Sequence, residues 1–137
     1  MKRFLIFFSL VLLVLGACRD RNSQVPLVGV NIVININEPQ YFDISVPSGY
    51  VYIIGGSQGI IVYRAGQDEF VAIERHSPYN VEDNCRVEVT EDGIILEDPC
   101  SGSQWLIQDG SIVRGPTNFA LTLYNTEFQN PYLTITN

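Results

Sequence analysis

Short runs of β-branched and aromatic residues, each closed within a few positions by glycine, proline, asparagine or aspartate, recur along this chain and restrict what it can fold into. Ile60-Ile61-Val62-Tyr63-Arg64 stops at Ala65-Gly66-Gln67-Asp68-Glu69, and Phe70-Val71-Ala72-Ile73-Glu74 starts immediately after it. Runs this short make poor helices and good strands, where a branched side chain packs on the pleated surface. The same pattern predicts strands over Val30–Asn37, Tyr41–Val46 and Tyr50–Ile54. Downstream it predicts Arg86–Thr90 and Ile94–Glu97 around the hairpin turn Glu91-Asp92-Gly93, then Trp105–Ile107, Ile112–Arg114, Phe119–Tyr124 and Tyr132–Thr136. No convincing helical period competes with them, so the expected fold class is all-β, a sandwich or small barrel. Of the 137 residues 46% are apolar and 17% charged, enough for one core and one domain without invoking disorder.

Residues 1–17 follow a different rule. Lys2 and Arg3 lead an apolar run from Phe4 to Leu15. This is the layout of an export signal, and it is shorter than the ~20 apolar residues a spanning helix needs. It ends in Leu15-Gly16-Ala17-Cys18. Small residues just before a cysteine resemble the lipobox of bacterial lipoproteins, which implies cleavage before Cys18 and lipid on that residue. Residues 18–29 then read as a tether and 30–137 as the folded domain. The expected location is the bacterial cell envelope, periplasmic or surface-facing, with the membrane held through Cys18. Each buried lipid methylene adds roughly 0.8 kcal/mol to such attachment. Without residues 1–17, six arginines and no lysine face fifteen carboxylates, a net charge of −9. Such a surface repels phosphate, so nucleic acid is not an expected partner.

Two turn-rich loops, each with one cysteine, flank the predicted hairpin. The first runs from Glu74-Arg75-His76-Ser77-Pro78-Tyr79-Asn80 to Cys85, and the second is Asp98-Pro99-Cys100-Ser101-Gly102-Ser103-Gln104-Trp105. Strand, loop, hairpin, loop, strand, then Gly115-Pro116 and two closing strands is an order that resembles the Rieske family over roughly residues 59–137. The second loop carries the most specific part of the match, with Pro99, Cys100, Gly102, Ser103 and Trp105 in the family's register. The resemblance implies a Rieske-like β-sandwich with a small loop–hairpin–loop subdomain, preceded here by a signal peptide. In the family, two cysteines and two histidines of these loops hold a two-iron, two-sulfur cluster. The matching positions here are Glu74, His76, Asp98 and Ser101, so one ligand of four is kept. Carboxylates and a hydroxyl do not reproduce a thiolate and imidazole ligand set. The cluster is therefore expected to be absent, with no cofactor and no ordinary electron transfer. The resemblance further implies a disulfide between the loops, Cys85 to Cys100, although Cys85 falls later than the family spacing. With Cys18 assigned to lipid, the cysteine count is consistent with that pair.

Three functional readings follow. In the first, the fold persists as a structural or binding module on the envelope. The vacated loops then form a surface for a protein partner, with Arg75, Tyr79, Asn80 and Trp105 as contact candidates, and Trp105 equally suited to the core. In the second, Glu74, His76 and Asp98 hold a single metal ion such as zinc, manganese or ferrous iron. The third, a hydrolase, is weaker. Ser101 and Ser103 flank Gly102, no Gly-x-Ser-x-Gly elbow is expected in the chain, and any serine–histidine chemistry must use His76, the one histidine. The pairs Asp68-Glu69, Glu82-Asp83 and Glu91-Asp92 sit at turns and read as solvated surface. An enzyme is not the leading expectation, and no catalytic residue is assigned.

Overall fold

A computed structural model describes residues 24–137. The expected signal segment, Cys18 and the first part of the tether lie outside the described residues. The strands are β1 (Asn31–Asn35), β2 (Tyr50–Ile53), β3 (Ile60–Arg64), β4 (Phe70–Glu74), β5 (Glu88–Val89), β6 (Ile95–Glu97), β7 (Gln104–Leu106), β8 (Ile112–Arg114), β9 (Leu123–Gln129) and β10 (Tyr132–Thr136). They form a six-stranded sheet in the order β1-β10-β9-β4-β3-β2 and a four-stranded sheet in the order β5-β6-β7-β8. All pairings are antiparallel. The architecture is all-β, a larger sheet carrying a small loop–hairpin–loop lobe. Among the described residues no helix is long and apolar enough to cross a membrane.

The central strands explain the continuous apolar runs in the sequence. All five residues of β3 are buried, and so are four of the five in β4. Ile60, Val62 and Ala72 join one core with Ile34, Ile44, Leu133 and Ile135. The large sheet thus curls so that its β1-β10-β9 half covers its β2-β3-β4 half. Ile61, Tyr63 and Ile73 point the other way, into a second core with Val87, Leu96, Trp105, Ile107 and Leu121. The small lobe is therefore seated on the back of β3 and β4. A strand buried on both faces needs apolar residues at every position, and a hairpin buried on one face alternates.

Three expectations are corrected. Tyr41–Val46 is not a strand: residues Pro39–Ser45 form a 3-10 helical stretch. Pro39 presets the backbone at its first turn, Ile44 alone is buried there, and Phe42 is 72% exposed. Arg64 fixes the stretch by donating from Nη1 to the carbonyls of Ile44 and Ser45. The ninth strand begins at Leu123 rather than Phe119, because its register is set by β10, which pairs Tyr132 with Gln129 and Thr136 with Asn125. The hairpin pairs only Glu88–Val89 with Leu96–Glu97. Its turn does fall where expected. Asp92 Oδ1 accepts hydrogen bonds from the Ile94 and Ile95 amides, and Thr90 Oγ1 donates to it, which holds the Asp92 carboxyl below its usual range.

Candidate functional site

Glu74 closes β4 and points its carboxylate into the protein, where it is 1% exposed. A buried carboxylate requires hydrogen-bond donors, and four converge on it. Oε2 accepts from the Ser57 amide at 2.7 Å and from the Tyr124 hydroxyl at 2.6 Å. Oε1 accepts from the Gln58 amide at 3.0 Å and the His76 amide at 2.8 Å. The turn Gly55–Gly59 delivers the first pair of amides. Gly56 has φ +60°, and a Cβ on it would lie 2.2 Å from Glu74 Oε2 and 2.4 Å from the Tyr124 hydroxyl. Only glycine lets the turn approach this closely. Burial first, and then the neighbouring Glu74 carboxylate, push the Tyr124 hydroxyl well above its usual pKa of 10.0.

His76 is buried beside this carboxylate, with both ring nitrogens engaged. Nε2 lies 2.8 Å from the Val81 carbonyl, which can only accept, so Nε2 carries a proton. Nδ1 lies 2.8 Å from Ser57 Oγ. The first loop is thereby closed on itself and tied to the Gly55–Gly59 turn.

Asp98 organises the second loop. It too is fully buried. Oδ2 accepts from Ser77 Oγ and from Ser101 Oγ, both at 2.7 Å, and Oδ1 accepts from the Cys100 amide at 2.9 Å. Ser101 Oγ is in turn 2.9 Å from Ser103 Oγ, which accepts from the Thr117 amide. The Ser77–Asp98 bond links the first loop to the second. Beside it runs the Cys85–Cys100 disulfide, spanning 15 residues of sequence.

The four residues expected from the resemblance at ligand positions fall into two hydrogen-bonded groups, Glu74 with His76 and Asp98 with Ser101. Among the described residues, the one group of three candidate ligands whose atoms lie within 4.8 Å of one another is Cys85, Asp98 and Cys100, and both of its sulfurs are committed to the disulfide. Glu74, His76 and Asp98 are not gathered into one. Among the described residues no buried side-chain nitrogen or oxygen lacks a hydrogen-bond partner, so no orphaned donor atom waits for an ion. The donor set does not fit a two-iron, two-sulfur cluster.

Ser57, Ser77 and Tyr124 complete the site and were not found from the sequence. The expectation of no Gly-x-Ser-x-Gly stretch is corrected in its spacing: Gly55-Gly56-Ser57-Gln58-Gly59 has it, and its serine is the one that meets the histidine. The spacing sits between two strands rather than at a strand-to-helix elbow. Its backbone also works against catalysis. The amides of Ser57 and Gln58, which would be needed to stabilise an oxyanion, both point at the Glu74 carboxylate. The pair ties the first loop to the Gly55–Gly59 turn.

Of the proposed contact residues, Trp105 is wholly buried and donates from Nε1 to the Phe119 carbonyl at 2.9 Å, so it belongs to the core. Tyr79 is half-buried, and its amide donates to Ser77 Oγ. Asn80 takes a left-handed backbone at the edge of the loop. Arg75 lies over the Tyr52 ring at 4.2 Å and donates from Nε to the Val87 carbonyl.

No family model matches the chain, and no curated protein matches it either. Among solved structures it is similar to the E. coli protein NirD, at 14% identity and a TM-score of 0.47, over 82% of this chain and 96% of that one. It is also similar to a protein described as the small subunit of an NADPH nitrite reductase, at 9% identity and a TM-score of 0.48, over 79% of this chain and 99% of that one. A third, described as the small subunit of an NADH-dependent nitrite reductase from Mycobacterium tuberculosis, shows 14% identity and a TM-score of 0.46, over 80% of this chain and 96% of that one.

Proposed function

We propose that this chain is an envelope lipoprotein whose Rieske-like domain serves as a structural or binding module and not as an electron carrier. One observation carries the reading. The side chains at the four cluster-ligand positions are absorbed into internal hydrogen bonds: four donors on Glu74, both ring nitrogens of His76, three donors on Asp98, and Ser101 between Asp98 and Ser103. A metal ion would have to displace those bonds from buried groups, each worth about 1.5–3 kcal/mol when one partner is charged. The two loops are joined instead by a disulfide and the Ser77–Asp98 bond. The partner surface is the rim beside the first loop, where exposed Arg86, Tyr52 and Ile54 surround the largely buried Arg75.

Metal analysis and a visible spectrum of the protein purified anaerobically test this. A folded, colourless and metal-free protein is the expected outcome. Stoichiometric iron and sulfide with cluster absorption would overturn the reading. One equivalent of zinc, manganese or iron without cluster bands, lost in Glu74→Ala and His76→Ala, would replace it with the single-metal reading.

A further inference from the structure

We infer that the shallow groove where the described chain begins faces the bilayer, so that the anchored domain stands with this end against the lipid surface; the inference rests on lipidation of Cys18. The exit point of the chain is fixed by the C-terminal residue. Asn137 Oδ1 accepts from the Val30 amide at 3.0 Å, and Asn137 Nδ2 donates to the Val28 carbonyl at 2.7 Å. From there Leu27, Pro26 and Val25 run along a groove of about 510 Å³ whose other wall includes Pro78, Phe119 and Ala120. Gln24, at the groove's rim, lies six positions after Cys18, so six backbone steps join them. Even fully extended, they reach about 20 Å. The groove therefore cannot stand far from the headgroups that a lipid on Cys18 would occupy.

The chemistry of the groove suits that position. Leu27 is 90% exposed and Phe119 48%. Exposed apolar side chains this close together favour an interface. No lining residue carries a charge, in a protein whose remaining surface is strongly acidic. A neutral apolar face is the one such a molecule can turn to a bilayer without repulsion from anionic lipids. Pro78 belongs to the first loop, so the loop end of the domain would be held at the membrane. A partner of the loops would then be met at the lipid surface.

The test uses the full chain reconstituted in vesicles of phosphatidylethanolamine and phosphatidylglycerol with brominated acyl chains, which quench tryptophan at short range. Phe119→Trp and Leu27→Trp place probes in the groove. Gln67→Trp places one in the turn after β3, a strand length or about 15 Å away along the sheet. Both groove probes should be quenched at least twofold more than the Gln67 probe, relative to unbrominated lipid. Equal quenching at all three positions, in a protein that Cys18→Ala releases from the vesicles, overturns the orientation and leaves the anchor standing. Failure of the wild-type chain to associate with vesicles overturns both. Because Leu27 is almost fully exposed, its variant keeps the test decisive if Phe119→Trp disturbs the fold.

Discussion

Two buried carboxylates hold the loop end of this protein, and they do different work. Glu74 draws three of its four donors from far along the chain, the fourth being the nearby His76 amide. Ser57 and Gln58 lie 17 and 16 residues before it, and Tyr124 lies 50 after it on β9. It fastens the first loop to the large sheet. Asp98 takes two of its donors, Cys100 and Ser101, from its own loop and one, Ser77, from across the gap. It shapes the second loop and bonds it to the first. Where a metal cluster would tie two loops together through one centre, this chain divides the task between two hydrogen-bond networks and a disulfide. A buried carboxylate is stable only when its acceptor sites are filled, so each network fixes its surroundings as firmly as it is itself fixed.

The sharpest way to break the comparison is to remove each carboxylate. Glu74→Ala leaves three amides and one hydroxyl without their acceptor in the interior. At about 1–3 kcal/mol for each unsatisfied group, the expected loss of stability is about 4 kcal/mol or more. Asp98→Ala should cost about half as much, because two of its three donors are serine hydroxyls that can rotate to other acceptors. Urea denaturation of both variants measures the difference. An Asp98→Ala loss equal to that of Glu74→Ala would show that the networks are not distinct.

The disulfide comes next. Replacing Cys85 and Cys100 together by serine should lower stability by about 3 kcal/mol for a loop of this length. Hydrogen exchange should then rise in Asp98–Ser103 while the Glu74 amide, bonded to the Thr122 carbonyl, stays protected. Equal loosening of both regions would mean that the loops open as one unit.

The smallest effect belongs to Tyr124. Tyr124→Phe removes one hydrogen bond to Glu74, an expected loss of about 1.5 kcal/mol. It also carries a pH signature. The hydroxyl is held protonated in the folded protein above its ordinary pKa of 10.0, so its contribution is fully present below pH 10.0 and falls as pH rises beyond it. Denaturation curves on either side of that pH should show the wild type losing more stability than Tyr124→Phe. Parallel losses in the two proteins would remove Tyr124 from the network.

Much of the fold was readable because local rules and burial agreed. β3, β4, β8 and β10 run where their residues predict, and Asp92-Gly93 makes the expected turn. Tyr41–Val46 has strand-like composition, yet Pro39 and the grip of Arg64 on Ile44 and Ser45 bend it into a helical stretch. Of the bonded groups at the loops, Glu74, His76, Asp98, Ser101 and the joined cysteine pair were singled out from the sequence. Ser57, Ser77 and Tyr124 were not, since a serine in a glycine turn or a tyrosine in a strand has no local mark of what it will touch.

By itself the sequence determined the all-β class, the central strands and the two loops. Those follow from side-chain shape and turn chemistry, which are properties of short segments. Tertiary structure alone decided that β3 and β4 are buried on both faces, that Glu74 and Asp98 anchor separate networks, and that Ser57 rather than Ser101 meets His76. The physical reason is that a buried polar group takes whichever partner the packed chain brings within about 3 Å, and that distance is set by residues far apart in sequence.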